Sequence, residues 1–83
     1  MALVKWSRAA LENIDTLDSL VRERVLDKIS WLEKNFTDIV PEPLHRELKG
    51  LYKLRVGDYR AVYSVKQDLI TIEVIGHRLD IYR

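Results

Sequence analysis

Cysteine is absent from this 83-residue chain. That removes both a disulfide framework and a thiolate metal site, and it suits a reducing compartment. No apolar stretch approaches the roughly 20 residues that span a bilayer. The start, MALVKWSRAALENI, lacks the charged leader and long apolar run of a secretion signal. A cytosolic protein with no membrane partner is expected. Glycine and proline are scarce, at three and two residues, and no internal repeat or low-complexity tract appears. There is no Gly-rich phosphate loop and no Ser/His/Asp arrangement, and two histidines without a carboxylate cluster make no metal site. No metal or small-molecule cofactor is therefore expected. At this length the chain reads as one domain, residues 1–83, with a single modest core and one binding surface.

An excess of either charge is also missing, since the net charge is only +1. Taken alone, that argues against a nucleic-acid binder, but the charge is unevenly placed. Residues 1–44 carry six basic against eight acidic side chains, a net of −2, whereas residues 45–83 carry eight basic against five acidic, a net of +3. Both histidines lie in the basic half. That asymmetry is an electrostatic footprint for an anionic partner.

The basic half is organised around Lys49 to Tyr82, KGLYKLRVGDYRAVYSVKQDLITIEVIGHRLDIY. Three β-branched and aromatic runs alternate apolar and polar residues, and they break at Gly57-Asp58 and Gln67-Asp68. This is the pattern of an antiparallel meander. A two-residue primed turn at Gly57-Asp58 requires Val56 to face Tyr59 and Arg55 to face Arg60. Period-2 alternation then sets Lys53 and Arg55 beside Arg60, Val62 and Ser64 on one face. Leu54, Tyr59, Ala61, Tyr63 and Val65 take the other, joined by Ile70, Ile72 and Val74 if the second turn also has two residues. Like charges directly opposite one another are destabilising, so Arg55 opposite Arg60 with Lys53 diagonal suggests that a polyanion comes to this face. Glu73 falls on the same face and reads as a salt-bridge partner tempering the cluster.

Ahead of the meander, Ala2 to Trp6 is a short apolar strand. Ser7 stands where a helix N-cap belongs, and Ala10, Ile14 and Leu17 recur at helical spacing, so a first helix is expected over about residues 8–16. Asp18 or Ser19 caps a second helix with the apolar stripe Val21, Val25, Ile29, Leu32 and Phe36. Asn35 is a left-handed stop, and Pro41 and Pro43 forbid continuation. Residues 37–48 form a connection with room for a helical turn at Leu44 to Leu48. The fold class is α+β, in the order β-α-α-β-β-β, with the helical pair on one face of a small antiparallel sheet.

The run LKGLYKLRVGDYRAVYSV and the ending IGHRLDIYR resemble the RelE family of the RelE/ParE toxin superfamily, the toxin half of toxin–antitoxin pairs. The opening VKWSRAALENI is compatible with it. The resemblance implies a metal-independent endoribonuclease that cuts messenger RNA on the translating ribosome and is restrained by a RelB-like antitoxin protein. Carried over by position, it implies catalytic roles for Lys53, Arg55, Arg60, Arg78 and Tyr82. Arg55 stands where some members have a second lysine. Lys49 and His77 are added as RNA-binding residues, His77 because an imidazole titrates near neutrality.

The implied chemistry is physically coherent. Without a metal, the 2′-OH must attack its neighbouring phosphate, and arginines grip phosphate through paired N–H groups and stabilise the added charge. Neighbouring cations disfavour the charged form of a lysine, which would make Lys53 a usable base. The Tyr82 phenol can stack on a base, orient the 2′-OH or donate a proton. Strict alternation sets His77, not Arg78, on the cationic face, unless a bulge at Gly76 or a longer second turn re-aims the ending. Two other readings stay open. One is a ParE-like non-nuclease that inhibits a topoisomerase, and the other is an inactive relative that only binds an antitoxin or nucleic acid.

Overall fold

The computed structural model describes residues 2–45 and 49–81. Along them run β1 (Leu3–Trp6), α1 (Arg8–Thr16), α2 (Ser19–Asn35), a 3-10 turn (Phe36–Asp38), β2 (Glu42–Pro43), β3 (Leu51–Val56), β4 (Tyr59–Lys66), β5 (Leu69–His77) and α3 (Arg78–Ile81). The strands make one sheet in the order β1-β5-β4-β3-β2.

The α+β class and the helical pair are as expected, but the sheet is mixed. β1 runs parallel to β5, and the Ser7 N–H donates to the Ile72 carbonyl at 2.9 Å where the strand leaves the sheet. Local alternation marks a strand without choosing its partner or direction. The connection over residues 37–48 also hides a fifth strand, with Glu42 opposite Lys53 and Pro43 opposite Tyr52. Each proline drives the residue before it into extended geometry, and an edge strand tolerates a missing N–H. Of the helical turn expected at Leu44 to Leu48, Leu44 and His45 are not helical, and 46–48 lie outside the described residues.

Ser7 caps α1 as anticipated, its Oγ accepting from the Ala10 N–H at 3.0 Å and donating to the Glu73 carbonyl at 2.7 Å. One side chain thus fixes the helix start to the sheet. α2 buries Val25, Ile29 and Leu32 from the expected stripe. Each wholly buried aliphatic side chain contributes roughly 1.5–3 kcal/mol. The Arg22 guanidinium donates to the Ile14 and Leu17 carbonyls and closes the end of α1. Asn35 is not left-handed. At φ −113° it passes the chain into the 3-10 turn, and its amide donates to the Trp31 carbonyl.

Both turns have two residues, with φ +60° at Gly57 and +56° at Gln67. The core face carries Leu54, Ala61, Tyr63, Ile70 and Ile72 against the helices. Alternation fails at one point. Val62 pairs with Val74 but Tyr63 pairs with Ile72, so Glu73 is an extra, bulged residue. From there Ile75, rather than Val74, turns into the core, Gly76 stands opposite Arg60, and His77 stands opposite Tyr59. A bulge does re-aim the ending, but three residues earlier than Gly76.

Candidate functional site

The sheet face turned away from α1 and α2 holds the cluster. The two-residue turn forces Arg55 opposite Arg60, and Lys53 opposite Val62 lies on the same face one step along. Arg60 is buried, at 8% exposure, and its Nε has no hydrogen-bond partner among the described residues. By register it lies on the face opposite Leu54 and Ala61, which belong to the core. Beside it, at Gly76, the chain turns back through α3, and Ile81 Cδ1 comes within 3.3 Å of where a Cβ on Gly76 would stand. A buried, unpaired charged donor costs free energy unless a ligand satisfies it.

Lys53 and Arg55 are not surrounded by cations alone. Glu42, presented by β2, takes the Arg55 fork in two-point contact, with Nη2 2.6 Å from Oε2 and Nε 2.9 Å from Oε1. Lys53 Nζ lies 3.5 Å from the same Oε2. The hydrogen bond from Arg55, with both positive charges, lowers the Glu42 carboxyl to about 2 against some desolvation. Sequence reasoning missed this residue. The available signal was an acid between two prolines, an extended pair of X-Pro steps able to add an edge strand.

The expected residues fall into two groups. Arg78 opens α3 beside the β3–β4 turn, at the sheet end that holds Arg55 and Arg60. Its N–H donates to the Asp58 carbonyl at 2.8 Å, and its exposed Nε lies 3.8 Å from Asp58 Oδ1. His77 sits elsewhere. The bulge turns it to the helix side, edge-on to Tyr59 at 5.4 Å, and its Nδ1 accepts from the Leu79 N–H. The register expected from strict alternation is therefore corrected. Lys49 is exposed in the turn that enters β3, beyond the far end of the strand from Arg55. Tyr82 lies outside the described residues. Glu73 does not pair with the cations, because its Oε2 accepts from Ser64 Oγ at 2.7 Å. Burial, with Tyr52 and Glu42 nearby, pushes the Tyr63 phenol up to about 12, too high for acid–base work near neutrality.

The fold is a small α+β domain in which Lys53, Arg55 and the buried Arg60 share one face of the sheet. The family model described as "ParE toxin of type II toxin-antitoxin system, parDE" matches residues 4–82. The chain belongs to this toxin family, within the RelE/ParE superfamily. Toxin RelG of Mycobacterium tuberculosis is 41% identical over 46 residues, which are 53% of this chain and 53% of that protein, so the match spans about half of the curated relative. Among solved structures, the toxin–antitoxin complex RelBE2 from Mycobacterium tuberculosis contains a similar chain, with TM-score 0.78, 25% identity, and 93% and 98% of the two chains covered. The archaeal RelE–RelB complex from Pyrococcus horikoshii OT3 gives 0.71, 26%, 93% and 94%.

Proposed function

We propose that this chain is the toxin of a type II toxin–antitoxin pair, acts in the cytoplasm by cutting ribosome-bound messenger RNA without a metal, and is restrained by a RelB-like antitoxin. The observation that carries the reading is the buried Arg60, its Nε unpartnered, on the sheet face that also presents Lys53 and Arg55. A scissile phosphate bound there would supply the missing acceptor. Arg55 and Arg60 would hold the phosphoryl oxygens as charge builds, Lys53 would take the proton of the attacking 2′-OH, and the departing 5′ oxygen, released as its bond to phosphorus breaks, would take a proton from solvent water. Arg78 is suited to the neighbouring phosphate and Tyr82 to the ribose or base. Lys49 and His77, off the cluster, would at most contact flanking RNA.

The test is cleavage of message on programmed ribosomes, with the cut ends mapped by primer extension. The expected result is new 5′-hydroxyl ends on the downstream fragments, with a cyclic phosphate left on the upstream ones, both lost in Arg60→Met. The ParE-type alternative is favoured by the family model itself. Induced expression that halts replication while leaving translation running would select it and overturn the nuclease reading.

A further inference from the structure

The Glu42 carboxylate sits on Lys53 and Arg55 as a phosphate would. Two oxygens meet the guanidinium fork, and one of them also faces the ammonium. Arginine forks grip carboxylate and phosphate with the same two-point geometry. The Arg55 and Glu42 side chains are 56% and 43% exposed, so this ion pair is open to water, while Lys53 is more enclosed at 14%. Glu42 also rides on an edge strand of two residues, so withdrawing it disturbs little of the ladder. We infer that Glu42 is an internal counterion that competes with RNA phosphate for Lys53 and Arg55, holding the free protein's affinity for RNA down until a partner such as the ribosome presents the strand.

This rests on the reading of that face as an RNA site, and it adds a restraint that the reading does not contain. Without substrate, Glu42 relieves the repulsion among neighbouring cations. With substrate, a phosphate takes its place and the carboxylate moves into water. Salt dependence follows from the same exchange. A built-in anion keeps solution anions off Lys53 and Arg55, so wild-type protein releases fewer ions on binding than a variant without it.

The experiment measures binding of a ten-nucleotide 2′-O-methyl RNA, which cannot be cut, over a range of salt. The proteins are wild type, Glu42→Gln and the double variant Lys53→Met/Arg55→Met. Glu42→Gln should bind about twofold to fivefold more tightly at low salt, and its affinity should fall more steeply with salt, by a slope of about 0.7 for each phosphate newly met. Equal or weaker binding by Glu42→Gln, with the double variant weakened, overturns the competitor and leaves the site standing. Unchanged binding by the double variant overturns the site and the competitor together. A second measurement needs no variant: the carbon-13 titration of the Glu42 carboxyl in wild-type protein. Saturating oligonucleotide should return it toward the ordinary carboxylate range, and an unmoved titration overturns the proposal.

Discussion

Arg55 and Arg60 face one another across the Gly57-Asp58 turn, yet one is exposed and bound to Glu42 while the other is buried with an unpartnered Nε. The second arrangement costs stability, because a buried donor without an acceptor forfeits its hydration, by about 1–3 kcal/mol. Arg60→Met keeps an unbranched apolar stem as far as the position of Nε and removes that cost. Its melting temperature should rise by several degrees, at roughly 4–8 °C per kcal/mol for a domain of this size. Ribosome-dependent cleavage should fall at least 100-fold, as when a donor to developing charge is removed elsewhere. Thermal unfolding and primer extension measure the two effects. Retained cleavage would contradict the assigned role.

Acid should loosen the β2–β3 edge. The Glu42 carboxyl is held at about 2, below its ordinary 4.5, so its stabilisation is fully present above about pH 4.5 and is lost as pH falls toward 2. The side chain is 43% exposed, and solvent screening limits the effect to less than about 1 kcal/mol. Urea unfolding of wild type and Glu42→Gln should therefore differ most near neutrality and converge at about pH 2–3. A difference that is constant with pH would show that the ion pair adds nothing to folding.

What the sequence made legible follows from local rules. Ser7 as a cap, the Val25–Ile29–Leu32 stripe, and the Arg55 and Arg60 pairing each depend on spacing within one element or across one tight turn. The parallel pairing of β1 with β5 depends on partners more than 60 residues apart, which no local period encodes. The bulge at Glu73 was hidden for a different reason. Ile72, Val74 and Ile75 are all apolar, so the pattern reads equally well with or without one inserted residue. That ambiguity moved His77 off the expected face. Glu42 escaped notice because its partners, Lys53 and Arg55, lie beyond a connection that carries no periodic signal.

Gln67 holds φ +56° in the β4–β5 turn, a conformation that ordinary side chains resist and asparagine tolerates. Gln67→Asn should stabilise the protein by about 0.5 kcal/mol, seen as a rise of a few degrees in melting temperature. It should leave cleavage unchanged, since the turn lies at the other end of β4 from Arg60. A lower melting temperature would mean that the Gln67 side chain makes a contribution that outweighs its backbone strain.

Beyond Ile72, β5 has lost β1 as a neighbour, and the side chain of Asn13 takes over, its Oδ1 accepting from the Ile75 N–H at 2.9 Å. This plugs an edge amide beside the bulge and ties α1 to the strand leading to Gly76 and Arg78. Asn13→Ala should cost about 1 kcal/mol and speed hydrogen exchange at the Ile75 amide by about tenfold. Asn13→Asp, which keeps an acceptor, should restore protection. Because Ile75 precedes the residue opposite Arg60, looser pairing here should lower cleavage more than stability alone explains. Cleavage by Asn13→Ala at wild-type rates, with exchange accelerated, would show that the end of β5 does not position the cluster.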